Sequence, residues 1–398
     1  MSEEVLGRIG DRGDVLAWPD NTIRPEGDHE SRHDIGVRGL DRPLRVLIVA
    51  PSLRILGGQA VQAARLLEPL KGDARVQISF LPINPVLPSF LGKLQSIKYL
   101  RTVVTWPLYA FSLLTEISKY DIVHVFSASY LSFLLAPAPA IMVSKFKNKK
   151  VILNYHSGEA EDHLARWPKT TTSTINMADA IVVPSKYLVD VFERFGFKSR
   201  AIFNTVEMNR FKFRIRRPLR PHFLSNRNLE PHYNVEAILL AFSIIQARFK
   251  DARLTIAGDG SQRSHLQRAA KKLGLRHADF VGQIPHDRIH SLYDECDIYL
   301  NSSNIDNMPC SIIESFAAGL PVVTTNAGGI PHIVTHEETG LLVKRGDHCA
   351  LADAAIRLLD DEVLAWKIAR KAREECEKYS WQAVGDQWIS LYQEIAGK

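Results

Sequence analysis

The feature that most constrains this sequence is an alternation of short apolar runs with helix-length segments, repeated in two series. The first series opens with the β-branched run 44–50, followed by a loop with Gly57 and Gly58 and a helix-like stretch. Its other strand candidates are residues 76–81, 122–126, 151–155, 180–183 and 201–203. Such alternation predicts a parallel sheet flanked by helices.

A second series follows the basic, proline-containing stretch 212–221, which we interpret as an interdomain linker because its prolines discourage regular structure. Its expected strands are 253–257, 280–281, 298–301 and 322–324; its expected helices are 235–249, 264–273, 310–318 and several beyond Ala350. The two series predict an α/β chain with two Rossmann-like halves. Ligand should bind in the cleft between them, at the carboxyl ends of both sheets.

The length of 398 residues fits two domains better than one. We expect a mobile N-terminal extension over 1–42, domains over 43–211 and 222–378 joined by the linker, and a final helix over 379–398 that packs back on the first domain. The formal charge of +6 conceals a basic folded part, because residues 1–42 hold ten acids and six basic residues. Phosphate-bearing small molecules, nucleic acid and anionic membranes all suit that charge.

Cysteine spacing and the N-terminus predict a cytoplasmic protein. The four cysteines lie far apart without a C-x-x-C pair, which disfavours a disulfide framework or a zinc site, and no metal-spaced histidine cluster occurs. The first residues lack the basic and apolar regions of a secretory signal. No nucleic-acid-binding module is present, so nucleic acid is a poor candidate partner.

Two apolar segments raise the question of membrane contact. Residues 122–144 carry no Lys, Arg, Asp or Glu, but their serines and prolines favour a buried strand followed by a helix over a span. Residues 106–114 are apolar on all faces, and the surrounding 91–150 hold eight basic and two acidic side chains. Core-packed helices are the favoured interpretation, and a peripheral membrane patch at the inner face of the membrane is the alternative.

The richest motif lies in residues 301–323. Pro309 suits the start of a short helix and Gly319 its end, so the helix begins in the predicted cleft. Its first amides, from about Cys310 to Ile313, would form a cradle for a phosphate or diphosphate. Asp306 and Glu314 could accept hydrogen bonds from sugar and ribose hydroxyls; a capping acid and a solvated helix acid are the alternative.

This segment resembles the sequence pattern of retaining glycosyltransferases of family 4, which have the two-domain GT-B fold. That pattern is an acid, seven residues, then Glu, a small-residue turn and Pro-Val-Val. Asp306 and Glu314 have this spacing, and residues 324–331 and 338–343 are similar to the family's downstream sequence. The resemblance extends from about Arg45 to Tyr392. It implies that the first domain binds the acceptor and the second binds a nucleotide-sugar donor.

The resemblance also implies site residues. Asp306 would contact donor-sugar hydroxyls, Glu314 the ribose, and backbone near Gln283 the base, while Gly57 and Gly58 bring the backbone close to the donor phosphate and the acceptor. The diphosphate would lie on the segment formed by Met308, Pro309, Cys310 and Ser311, in which every residue except the proline offers a backbone N–H. His156 would lie near the transferred sugar, where it orients or stabilises.

Three further positions concern the leaving group and the departures from the family. Arg227 matches the arginine that stabilises the departing diphosphate, but His232 stands where the family has Lys, and Asp306 where it usually has Glu. The resemblance implies a metal-independent retaining hexosyltransferase without a cofactor. A GT-B nucleotide-sugar epimerase and a catalytically weak sugar-nucleotide or glycan-binding protein are the alternatives.

Overall fold

The computed structural model describes residues 42–52, 57–85 and 100–397. The predicted mobile extension therefore lies outside the described residues, except for Arg42. Within the described chain, two parallel six-stranded sheets are flanked by helices, which confirms the predicted α/β class.

The first sheet has the order β2-β1-β3-β4-β5-β6. Its strands are β1 (Leu44–Ala50), β2 (Val76–Pro82), β3 (Ile122–Ser127), β4 (Lys150–Tyr155), β5 (Ala180–Val183) and β6 (Arg200–Ala201). The intervening helices are α1 (Gly58–Lys71), α2 (Leu100–Glu116), α3 (Tyr130–Leu135), α4 (Pro137–Phe146), α5 (Ala160–Arg166), α6 (Pro168–Ile175) and α7 (Lys186–Arg194). β3 and β4 are almost wholly buried, as expected of strands covered on both faces.

The second sheet has the order β12-β11-β10-β7-β8-β9. Its strands are β7 (His222–Asn226), β8 (Arg253–Ala257), β9 (Ala278–Gly282), β10 (Ile298–Asn301), β11 (Val322–Thr325) and β12 (Leu341–Val343). The helices are α8 (Val235–Arg248), α9 (Arg263–Lys272), α10 (Ile289–Glu295), α11 (Cys310–Ala318), α12 (His348–Asp360), α13 (Glu362–Cys376) and α14 (Trp381–Ala396).

Each sheet has one point at which the strand order reverses, and there the loops diverge to opposite faces and leave a crevice. In the first sheet it lies between β1 and β3, and in the second between β7 and β10. The loops after these four strands carry Gly57, Ser129, Arg227 and Asp306.

The basic stretch 212–221 packs against the second half and is held there by hydrogen bonds. Arg216 is buried and donates hydrogen bonds to the carbonyls of Cys296, Ala318 and Gly319, among others. Burial, together with the neighbouring Arg214, lowers the pKa of Arg216 to about 10.

The final helix α14 covers one face of the first sheet. Its buried side chains Trp388, Ile389 and Tyr392 share a core cluster with Val46 and Ile48 of β1. The last element of the chain thus completes the hydrophobic core of the first half.

The segment 106–114 lies in α2, which has one buried and one exposed apolar face. Tyr109 and Leu113 are buried, whereas Phe111 is 66% exposed and Leu114 is 52% exposed. Core packing therefore accounts for only part of this apolar segment. Among the described residues, no helix is both long and apolar enough to span a bilayer.

Candidate functional site

A cleft of about 370 Å³ lies between the two halves, at the carboxyl ends of both sheets. All of the residues singled out from the sequence line it: Gly57, Gly58, His156, Arg227, His232, Gln283, Asp306, Met308, Pro309, Cys310, Ser311 and Glu314. The structure thus brings together side chains that are up to about 250 residues apart in the sequence.

Arg227 and Asp306 form the centre of the second half's contribution. Arg227 follows β7, and its Nη2 donates to Asp306 Oδ2 at 2.5 Å, while its guanidinium lies over the ring of Tyr233 at 4.1 Å. Ser303 Oγ also donates to Asp306 Oδ2, at 3.2 Å. Burial opposes the charge of Arg227, but the Asp306 carboxylate outweighs it and the pKa of Arg227 is raised. A fixed cation therefore faces the cleft.

Helix α11 begins beside this pair. Pro309 is its N-cap residue, and Gly319 ends it at a φ of +74°, in the left-handed region that glycine tolerates best. The amide of Ile312 donates to Pro309 O at 3.1 Å, so this member of the predicted cradle is already occupied. The amides of Cys310 and Ser311 precede the first intrahelical bonds and can serve an anion.

Glu314 is held from both sides. Arg65 of α1 donates to its Oε1 and Tyr293 of α10 donates to its Oε2, each at 2.7 Å. Because Arg65 belongs to the first half and Glu314 to the second, this contact crosses the cleft.

His156 follows β4, and its ring stacks on Phe126 at 4.9 Å. Burial lowers the pKa of His156 to about 3, so the ring is neutral at physiological pH. Within the described residues its buried Nε2 has no hydrogen-bond partner. Since His156 lines the cleft, this nitrogen is a candidate contact for a bound ligand.

The glycine loop and the two remaining predicted residues lie at the cleft's edges. A Cβ added at Gly57 or Gly58 would meet open space, so the cleft is accessible above this backbone. His232 sits in a short 3₁₀ turn and its carbonyl accepts from the amide of Asn304 at 2.8 Å. Gln283 comes directly after β9.

Sequence reasoning missed several residues that join the two halves. Ser185 Oγ hydrogen-bonds Asn307 Oδ1, and Asn204 Nδ2 donates to Met308 O at 3.3 Å. Gln62 and Arg65 were also missed, although polar side chains on the otherwise apolar buried face of α1 were a usable signal. Among the described residues, no group of three or more His, Cys, Asp or Glu side chains is placed to hold a metal ion.

Two family models match adjacent parts of the chain. The one described as Glycosyltransferase Family 4 matches residues 41–210, and the one described as Glycosyl transferases group 1 matches residues 209–380. Together they cover both sheets and the whole cleft.

Two curated relatives illustrate the range of similarity. A glycogen synthase of Mycobacterium tuberculosis is 28% identical over 274 residues, which are 65% of this chain and 66% of that protein. A phosphatidyl-myo-inositol mannosyltransferase of Mycobacterium leprae is 30% identical over 169 residues, or 42% of this chain and 44% of the relative. Each match thus spans less than two thirds of the relative's own length.

Solved structures match over most of the chain. A sucrose-phosphate synthase from Thermosynechococcus elongatus has a TM-score of 0.73 at 20% identity, covering 88% of this chain and 99% of the other. Anabaena HepE, solved in complex with UDP and glucose, has a TM-score of 0.68 at 17% identity, covering 87% of this chain and 99% of HepE. These likenesses confirm the expected two-sheet architecture.

Proposed function

Because the chain belongs to the family 4 glycosyltransferases of the GT-B fold, we propose that it moves a hexose-type sugar from a nucleotide-diphosphate sugar to an acceptor hydroxyl, with retention of configuration. One observation carries this proposal. Arg227, Asp306 and the start of α11 line the same cleft as Gly57, Gly58 and His156 of the first half. A diphosphate and a sugar would both find matching partners there.

Arg227 and the first amides of α11 supply positive charge for the leaving group. As the bond from the anomeric carbon to the diphosphate breaks, negative charge accumulates on the phosphate oxygens. A guanidinium presents several donors in a fixed fork, and a helix N-terminus adds oriented amides. We therefore place the diphosphate between Arg227 and the amides of Cys310 and Ser311, with Asp306 accepting from a donor-sugar hydroxyl.

As the route to retention, front-face displacement is favoured over a covalent glycosyl-enzyme by the state of the two acids of the motif. Asp306 accepts from Arg227, and Glu314 accepts from Arg65 and Tyr293, so each is committed as a hydrogen-bond acceptor rather than free to attack carbon. In front-face displacement the acceptor oxygen bonds to the anomeric carbon on the face that the diphosphate leaves. The acceptor proton passes to a departing phosphate oxygen. The neutral His156 would orient the sugar by a hydrogen bond from or to Nε2.

We propose that this chemistry runs without a metal ion, since Arg227 and the helix amides can meet the diphosphate charge. EDTA should leave the transfer rate unchanged, and restoration of a lost rate by added Mg²⁺ or Mn²⁺ would contradict this part. The products' anomeric configuration, read by NMR coupling constants, tests retention independently.

Incubation of the full chain with a panel of nucleotide sugars tests the function itself. Release of free nucleotide, accelerated by the right hydroxyl acceptor, is the expected result. An isomerised donor would indicate the epimerase alternative, and binding without turnover would indicate a binding protein. A thermal-shift screen identifies the donor, because a bound ligand stabilises the folded state.

Arg227 provides the sharpest residue test of the proposed function. Arg227→Ala should lower kcat/KM by about 100- to 1,000-fold, because a donor to developing negative charge is lost. Arg227→Lys should recover only part of this, since an ammonium lacks the fork. The control is Arg248→Ala, which removes an exposed pair with Asp360 and should leave kcat/KM unchanged. Equal activity of Arg227→Ala and the wild type would show that Arg227 does not stabilise the leaving group.

We also propose that the first half docks on an anionic membrane surface and takes a lipid-linked acceptor there. Helices α2, α3 and α4 are joined by hydrogen bonds from Trp106 to Leu135 O and from Tyr109 to Ala136 O. They carry a set of exposed large apolar side chains: Trp106, Leu108, Phe111, Leu114, Leu131, Met142 and Phe146. Exposed apolar side chains of this number on neighbouring helices are typical of an interaction surface.

Charge favours a membrane as the partner of this surface. Five lysines lie near the ends of α2 and α4: Lys119, Lys145, Lys147, Lys149 and Lys150. Glu116 and Asp179 pair with three of them, which leaves a basic margin beside the apolar side chains. Such a combination suits anionic lipid. All four cysteines are free thiols, which supports a cytoplasmic location at the inner face of the membrane.

Vesicle co-sedimentation at low salt tests this proposal. The wild type should bind vesicles that contain phosphatidylglycerol better than vesicles of phosphatidylcholine alone. Phe111→Ser combined with Phe146→Ser should weaken binding at least tenfold, because both side chains are mostly exposed. Val363→Ser, which changes a 68% exposed side chain in the second half, is the matched control. Equal binding by all three proteins, or none by the wild type, would reject membrane docking.

A further inference from the structure

Helix α1 places two polar side chains, Gln62 and Arg65, on its buried face one turn apart. Gln62 exchanges hydrogen bonds with the backbone of Thr205, and its Nε2 also lies 3.1 Å from Cys310 Sγ. Gln62 is 5% exposed and Arg65 is 4% exposed. Burying a polar side chain without a partner costs free energy, so the hydrogen-bond partners of Gln62 and Arg65 indicate the role of this face of α1.

Arg65 has partners in both halves. Its Nη2 lies 2.7 Å from Glu314 Oε1, its Nη1 donates to Thr205 O at 3.2 Å, and its Nε lies 3.7 Å from Glu207 Oε1. Burial disfavours the charge, but Glu314 and Glu207 outweigh it and the pKa of Arg65 is raised. Arg65 is therefore a charged side chain fixed at the junction of the halves.

Glu314 retains capacity to accept more hydrogen bonds. A carboxylate offers about four acceptor positions, and here Arg65 and Tyr293 each use one oxygen. Glu314 also lines the cleft. A vicinal diol such as that of ribose could donate to the remaining positions, provided that the carboxylate keeps this orientation.

We propose that Arg65 is a positioning residue for the nucleoside part of the donor: it fixes Glu314 from the opposite half, so that ribose binding and closure of the cleft favour each other. This inference rests on the proposed function. The Arg65–Glu314 pair joins residues of different halves, so it stabilises their closed arrangement. Coupling of this kind is reciprocal, because whatever stabilises closure also tightens nucleoside binding.

The proposal predicts a selective loss of affinity. Pyrophosphate shares the diphosphate contacts but has no ribose, so it separates the two parts of the site. Calorimetric titration would compare UDP, ADP and GDP with inorganic pyrophosphate. Arg65→Met should weaken the preferred nucleoside diphosphate by about tenfold or more and pyrophosphate by less than threefold. Arg65→Lys should recover part of the loss, and KM for the donor should rise more than kcat falls.

Two further variants keep the test decisive. Tyr293→Phe removes the other hydrogen bond to Glu314 without leaving a charge unpaired, and also the contacts of the hydroxyl with Asn226 Nδ2 and Ser311 O. It should show the same selectivity if Arg65→Met folds poorly. Arg75→Met, which breaks an exposed pair with Asp73, is the control and should change neither affinity.

The outcomes distinguish this inference from the proposed function. Equal weakening of nucleoside diphosphate and pyrophosphate in Arg65→Met, or no weakening of either, would overturn the positioning role while the function stands. A wild type that binds none of the nucleoside diphosphates would overturn both.

Discussion

Two histidines enclose Phe126 in a stack at the centre of the first sheet. The ring of His124 lies 5.2 Å from Phe126 at an interplanar angle of 14°, and the ring of His156 lies 4.9 Å away on the other side at 11°. His124 shares hydrogen bonds with Tyr392 and Asn154, whereas His156 meets the cleft. The stack therefore connects the final helix of the chain to the site.

The buried His124 should make stability depend on pH. Burial lowers its pKa from 6.5 to about 3, so below pH 6.5 the unfolded chain binds a proton that the folded chain does not. The free energy of unfolding should therefore fall as pH drops from 6.5 towards 3, with a contribution of up to about 1.4 kcal/mol per pH unit. Urea unfolding of the wild type and His124→Asn at several pH values measures this slope.

The expected result is a shallower slope for His124→Asn, at the cost of lower stability near pH 7. His277→Asn, which changes an exposed histidine, should preserve the wild-type slope. Parallel slopes for wild type and His124→Asn would show that the folded chain protonates His124 as readily as the unfolded one.

Residue types in short motifs were readable from sequence, but partners across the cleft were not. His156 and Asp306 follow predicted strands, and the carboxyl ends of parallel strands meet at one edge, so their convergence was predictable; Arg227 follows the unpredicted β7 and was placed only by the family resemblance. Arg65 lies within a helix, and its partner Glu314 is 249 residues away. Nothing local specifies such a contact, because it depends on how the two halves close.

The turn that follows β11 supports the loop bearing Asp306. Gly328 has a φ of +48°, and a Cβ there would lie 2.0 Å from Asp306 O. The amide of Gly329 donates to the same oxygen at 3.1 Å. The absence of a side chain at residue 328 thus lets two loops pack backbone to backbone. This packing fixes the position of the Asp306 backbone in the cleft.

Gly328→Ala should disturb this packing more than a simple change of backbone preference would. Gly346→Ala is the matched control, since Gly346 also has a positive φ, +78°, but open space around it. The control should cost about 1 kcal/mol of stability. Gly328→Ala should cost at least about 2 kcal/mol more and also weaken donor binding. Equal melting temperatures and equal donor affinities for the two variants would show that the close approach at Gly328 does not support the loop bearing Asp306.

Elements were predicted best where both ends carry a local signal. Helix α11 spans the expected 310–318 because Pro309 and Gly319 mark its ends. Strands β12, with three residues, and β7, with five, are not among the predicted strands. Both are short, so their pairing with longer neighbours decides their structure rather than their own pattern.

At the scale of the whole molecule, the final helix α14 packs into the core of the N-terminal half. Trp388 of α14 is 4% exposed and lies 4.7 Å from the ring of His124. The packing of the final helix on the first domain was expected from the sequence. Its depth in the core was not, since it depends on the shape of the first sheet.

Trp388→Ala should lower the free energy of unfolding by about 3–5 kcal/mol, because a large side chain is removed from a packed core. Urea denaturation followed by circular dichroism measures the loss. Gln387→Ala changes the exposed neighbour and should cost less than about 0.5 kcal/mol. A similar small cost for both would mean that α14 is dispensable for the first half.

The hydrogen bond from Val206 N to Tyr379 O, 2.9 Å long, lies where the described chain passes between its halves for the first and the second time. The stretch 212–221 does not contribute freedom there, because Arg216 anchors it to the second half. Two crossings side by side form a natural hinge between the halves. We therefore expect the cleft to open by rotation about Val206 and Tyr379, with the residues farthest from them moving farthest.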